Sequence, residues 1–280
     1  MRLHIRAHDL GVKGSAAILA RLDEAGLDGV QMVCYKAYED IPYAPGAITA
    51  ERARQIGQAF RASGKEIPFI GAYFNPVHSN EEKRRRGFDV FADYLRVGGA
   101  MGCQTVGSET GSFNDDSWTY HPLNRTPDAL RRVIGAFSGL CDIGAPCGMT
   151  VAMEGSSGHV IWNVETMREA INAIDRPNLK TIFDLYNYLD ASNQTDYLSI
   201  LDEGLEKLGG RICLFHIKDW NFSSGRNPVQ AQLGEGSADL HAILSRIKQY
   251  DENATLVLEG TTGKWIEPAA RLIRNIWEEI

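Results

Sequence analysis

Short apolar runs, often β-branched, alternate along the chain with stretches whose apolar residues recur at helical spacing. The first run, residues 3–7, precedes a stretch at 14–26 in which Ala16, Leu19, Ala20 and Leu22 mark one helical face. Further runs occupy 29–33, 67–73, 104–108, 149–153, 180–184, 211–217 and 255–259. They precede predicted helices at about 49–63, 80–101, 127–140, 164–174, 195–208, 238–249 and 267–279. Repeated strand–helix units imply a parallel sheet. Eight units in 280 residues predict closure into a (β/α)8 barrel of the α/β class, which typically takes ~250 residues. No Pro-rich or Ser-rich linker divides the pattern, so residues 1–280 are expected to form a single domain.

Two strand-to-helix connections are long, 109–126 and 218–237. Both carry aromatics: Phe113, Trp118 and Tyr120 in the first, Trp220 and Phe222 in the second. Such loops share the active face of a barrel. They are predicted to form lids or pocket walls, with Trp118 and Trp220 contributing more to ligand binding than to folding.

Composition narrows the function. Lys and Arg number 29 against 36 Asp and Glu, a net charge of −7. That balance argues against a nucleic-acid partner, which calls for a basic face. The basic run Lys83–Arg86 follows two glutamates and reads as a solvated helix face. The five cysteines are widely spaced, with no CxxC, as expected of free thiols in the cytoplasm. An apolar leader and an 18-residue apolar stretch are both lacking, so no membrane partner is expected. P-loop, dinucleotide fingerprint, HExxH and GxSxG patterns do not occur.

The predicted strand ends carry the chemistry. The last four strands end in VAMEG, TIFDLYN, LFHIKD and LVLEG, placing Glu154, Asp184, His216 and Glu259 at intervals of 30, 32 and 43 residues. Each interval is one strand–helix unit, so four consecutive strands deliver their polar ends to one pocket mouth. Three carboxylates there would repel one another, and a divalent cation resolves the conflict. Oxygen-rich ligation with one imidazole suits Mn²⁺, Mg²⁺ or Co²⁺, with Zn²⁺ a further candidate.

With these four residues, the HIKD string at 216–219, GEGSADL at 234–240, NPVH at 75–78 and GSETGS at 107–112, the chain resembles the xylose isomerase-like TIM barrels. The resemblance spans the whole chain and implies one divalent metal ion held by Glu154, Asp184, His216 and Glu259. It further implies that Glu154 and Glu259 act as acid and base on a hydroxy-ketone, by proton transfer through an enediolate. The expected function is isomerisation or epimerisation of a small-molecule sugar or sugar derivative. The alternatives are a metal-dependent lyase that dehydrates a keto-sugar or inosose, and a non-catalytic carbohydrate-binding barrel. Assembly into a homo-oligomer is left open.

Two positions depart from the ketose 3-epimerases of this group: Val160 stands for a glutamate, and Asn187 for a histidine. Endonuclease IV chemistry is disfavoured, since its additional histidines are missing at 187 and in the loop after His216. The other strand ends and loops supply substrate-binding candidates: His8, Lys36, Asn75, Glu109, Asn187 and Arg226, with His78 nearby. Lys218 and Asp219 are expected to pair with each other or with neighbouring strands.

Overall fold

Eight parallel strands close the barrel in the order β1-β10-β7-β6-β5-β4-β3-β2. They are β1 (Arg2–Arg6), β2 (Gly29–Met32), β3 (Glu66–Gly71), β4 (Thr105–Glu109), β5 (Thr150–Glu154), β6 (Leu179–Asp184), β7 (Ile212–Ile217) and β10 (Thr255–Leu258). The computed structural model describes residues 1–280. Closure is made by β1 on β10, with Arg2 opposite Thr255 and Ile5 opposite Leu258. All eight predicted strands are present, with ends within two residues of expectation.

Alternation along the strands divides the apolar residues between two cores. Phe69, Ala152, Ile182, Leu214 and Val257 form a small cluster inside the barrel. The residues between them in sequence, such as Val151, Met153, Phe183 and Phe215, join the larger core with helix residues Phe137, Leu140 and Met167. The long helices start where the sequence supplies caps. Thr49, Asn80, Thr126, Asn163 and Asp239 each accept a hydrogen bond from a backbone N–H in the first turn of α3 (Ala50–Ala62), α4 (Glu81–Met101), α5 (Pro127–Gly144), α6 (Val164–Ile174) and α8 (Leu240–Tyr250).

Residues 218–237, expected as a lid or pocket wall, have regular structure of their own. They contain a two-stranded antiparallel ribbon, β8 (Asp219–Asn221) against β9 (Val229–Ala231). Trp220 is turned inward there: it is 1% exposed and packs on Tyr186 and Tyr197. The expected role of Trp220 in ligand binding is therefore corrected to one in packing. Cys34, Cys103 and Cys141 are buried free thiols, Cys213 is half-buried and Cys147 is exposed. No helix is long and apolar enough to cross a membrane.

Candidate metal centre and active site

The inner core sets the site. Ala152, Ile182, Leu214 and Val257 point into the barrel. Two residues further along each strand, the same face presents Glu154, Asp184, His216 and Glu259. A period of two thus converts an apolar floor into a polar layer directly above it. Only Asp184 and His216 are register partners; Glu154 stands opposite Ile182 and His216 opposite Val257, so the four side chains converge across the stagger of the tilted barrel strands.

One ligand atom from each of the four residues lies within 4.8 Å of every other. His216 Nδ1 is the hub: it is 3.1 Å from Glu154, 3.3 Å from Asp184 and 2.9 Å from Glu259. Its Nε2 lies 2.7 Å from Gln31 Oε1, which can only accept. The Gln31 carbonyl therefore fixes a proton on Nε2 and leaves Nδ1 to face the carboxylates, as a metal ligand requires. Asp184 Oδ2 is buried 2.7 Å from Lys218 Nζ, yet makes no well-aligned hydrogen bond. An under-satisfied buried carboxylate oxygen beside two more carboxylates and an imidazole nitrogen fits a divalent cation.

Neighbouring charges divide the two glutamates. Burial raises the Glu154 carboxyl to about 7, against the pull of His216. Burial acts on Glu259 too, but Lys218, His216 and Arg6 outweigh it and hold this carboxyl well below its ordinary range. Glu259 Oε1 lies 2.8 Å from Lys218 Nζ and 2.9 Å from an Arg6 guanidinium nitrogen. Burial works against the charged form of His216, but the Glu154 and Glu259 charges hold its imidazolium well above the ordinary value.

A cavity of about 220 Å³ opens on this layer, bounded by Glu154 and Glu259 together with Arg6, Tyr73 and Trp118. His8, Lys36 and Glu109, three of the substrate-binding candidates, line it as well. Burial and the Glu259 charge raise Glu109 to about 7. The remaining candidates lie elsewhere. Asn187 bridges protein groups, donating to Glu154 Oε1 at 2.8 Å and accepting from Lys218 Nζ at 2.9 Å. Asn75 donates to the carbonyls of Ser112 and Asp115 and pins the loop after β4. Arg226 is exposed and lines neither this cavity nor the one beside it.

Of the two pairings expected for Lys218, the structure shows the one with neighbouring strands, through Asp184 and Glu259, and not the one with Asp219. Lys218 joins the metal layer, whereas the Asp219 carboxylate accepts backbone N–H bonds from Gly234, Gly236 and Ala238. This joins the HIKD and GEGSADL strings: a Cβ on Gly236 would stand 2.1 Å from Asp219 Oδ1, so only glycine admits the contact. Sequence reasoning missed Arg6, Gln31 and Tyr73. Arg6 and Gln31 carried a signal, since each sits at an inward position of a strand whose alternate residues are apolar.

An eight-stranded barrel with a buried carboxylate–imidazole tetrad at the C-terminal ends of its strands defines a class of α/β barrels whose rim could hold a metal ion. The chain matches the xylose isomerase-like TIM barrel family over residues 19–276 and belongs to it. No curated protein sequence matches the chain. Among solved structures, a D-tagatose 3-epimerase-like protein superposes with a TM-score of 0.77 at 16% identity, covering 100% of this chain and 98% of that one. A probable 3-DHS dehydratase of Bacillus anthracis gives 0.74 at 13% identity, covering 98% and 99%. Endonuclease IV of Thermus thermophilus gives 0.71 at 18% identity, covering 100% of both. Likeness at these identities shows a shared fold and leaves the reaction to be argued from the site.

Proposed function

We propose that this protein is a divalent-metal-dependent isomerase or epimerase of a small sugar or sugar derivative. One observation carries the reading. The barrel order β10-β7-β6-β5 makes Glu259 and Glu154 the two ends of the ligand arc, and these two members of the tetrad line the inner cavity. Asp184 and His216 lie between them and serve as ligands.

Glu154, Asp184, His216 and Glu259 would hold a divalent cation, Mn²⁺, Mg²⁺ or Co²⁺ with Zn²⁺ a further candidate, which would supply Lewis-acid chemistry at the site. The glutamates handle the proton. Glu259, held ionised by Arg6 and Lys218, takes it from the carbon beside the carbonyl. Glu154, at the other end of the arc, returns a proton to the opposite face or to the neighbouring carbon. Asn187 orients Glu154, and His8, Lys36 and Glu109 meet the substrate hydroxyls. Five unpaired thiols suit a cytoplasmic enzyme.

Turnover of short ketoses, ketose phosphates and inososes with Mn²⁺ in D₂O tests the reading by NMR. Deuterium is expected on the carbon next to the carbonyl, because a proton held on a carboxyl group exchanges with water. Efficient turnover without label would mean hydride transfer and would overturn the mechanism. Loss of water, seen as a new enol or diketone absorbance, would move the protein to the lyases.

A further inference from the structure

The inner cavity is small, about 220 Å³, and lies below the ~300–1,000 Å³ usual for ligand pockets. A second cavity of about 440 Å³ shares the walls Tyr35, Tyr73 and Trp118 with it. This annex extends outward between the short helix α2 (Cys34–Ala37), the loop bearing Tyr43 and the start of α4.

Its polar groups are largely engaged within the protein. Lys83 Nζ lies 2.6 Å from Asp116, and His78 Nε2 lies 3.1 Å from the same carboxylate. Arg86 donates to the Tyr43 carbonyl and stands 5.8 Å over the Tyr43 ring. The Tyr43 hydroxyl donates to the Tyr73 carbonyl at 2.9 Å. What remains facing the space is aromatic: Tyr35, Tyr43, Tyr73, Phe74 and Trp118.

The dividing wall is built in place. Trp118 sits in the left-handed region at φ +51°, which a bulky residue seldom adopts. His159 holds it there, with Nε2 3.0 Å from the Trp118 carbonyl and the imidazole edge-on to the indole at 5.7 Å. A strained aromatic fixed between two cavities marks the boundary of two subsites.

Resting on the isomerase or epimerase reading, we propose that the substrate has two rings: a keto-sugar unit in the inner cavity and a glycosyl ring in the annex. The C–H faces of a pyranose carry partial positive charge and suit the negative faces of aromatic rings. A phosphate suits the annex poorly, because Lys83 is already paired with Asp116 and Arg86 is tied to the Tyr43 carbonyl.

Calorimetry with Mn²⁺ present tests this without requiring turnover. The probes are D-fructose, fructose 6-phosphate, and the 4-O- and 6-O-glycosyl fructoses lactulose, maltulose and isomaltulose. At least one two-ring probe should bind about 10-fold or more tightly than fructose, a gain of the size a buried ring contact provides. Tyr43→Ala should remove that advantage and leave fructose binding unchanged, whereas Tyr43→Phe should keep it. Equal binding of fructose and every two-ring probe would overturn the proposal. So would a preference for fructose 6-phosphate that is lost in Lys83→Ala and kept in Tyr43→Ala. The two readings fail separately. A two-ring preference without solvent exchange would sink the isomerase reading alone, and exchange into fructose without a two-ring preference would sink the annex alone.

Discussion

The two halves of the barrel rim are built on different principles. On β5, β6, β7 and β10 the strand ends supply buried, charged, mutually bonded groups: the tetrad, Lys218 and, at its margin, Asn187. On β1 to β4, apart from Arg6 and Gln31, which bond to the tetrad, the groups lie in or just past the strands and include aromatic faces and half-open polar side chains: Tyr35, Lys36, Tyr73, Glu109 and Trp118. On the proposed reading, the first half carries the reaction and the second determines what is admitted.

Removing the cation should separate the halves most sharply. Chelation is expected to abolish activity, and Mn²⁺, Co²⁺ or Mg²⁺ to restore it. Metal affinity, read by calorimetry, should fall as the pH drops, because the ligands must shed protons to bind. Next in size, Glu154→Gln and Glu259→Gln should each lose roughly 10²–10⁴ in kcat, the range for general acid–base catalysis, with unchanged circular dichroism. Full activity in either variant would end the proton-transfer assignment. Gln31→Leu tests whether the first half extends behind the ligands. Loss of the His216 partner should weaken metal binding by ~10–100-fold, and the same substitution frees the hydroxyl of the cavity wall Tyr73, to which the Gln31 amide donates at 2.7 Å.

The two tryptophans offer a comparison across the arcs. Trp118→Ala should raise KM by less than about tenfold, the loss of one aromatic contact, and leave the melting temperature nearly unchanged. Trp220→Ala should do the reverse, costing roughly 3–5 kcal/mol of stability with KM preserved in the folded fraction. A smaller effect is expected at His159, which burial lowers to about 4 against the raising bond to the Trp118 carbonyl. Stability from the neutral imidazole is fully present above the ordinary value of 6.5 and is lost as the pH falls towards 4. Denaturation between pH 7 and 4 should therefore show a shallower acid loss, by up to ~3 kcal/mol, in His159→Asn.

The same division explains what the sequence made legible. Each tetrad member is the polar residue that closes an apolar run, a pattern that survives without coordinates. Gln31 and Arg6 are inward residues of strands of four and five residues, where two or three alternations give a weak period. Tyr73 lies beyond β3 and is placed by the turn that follows. Trp220 reads as an exposed loop aromatic, because a three-residue ribbon strand leaves almost no periodic trace. Asn75 and Asn187 read from the sequence as polar groups near the rim. Their acceptors are backbone carbonyls for Asn75 and the Glu154 carboxylate for Asn187, and spacing along the chain cannot disclose those.

Arg6 also ties the start of the barrel to its close. It bonds bidentately to Asp9, whose carboxylate accepts from the Gly260 N–H, and it reaches Glu259. On the ribosome these partners emerge far apart in time: residue 6 among the first, residue 259 near the end, at ~5–20 residues per second. Until β10 arrives, β1 keeps an unpaired edge, and three members of the tetrad wait without the fourth. A nascent chain halted before residue 259 would therefore expose a template for misassociation and would lack the Arg6–Glu259 pair that joins the first strand to the last.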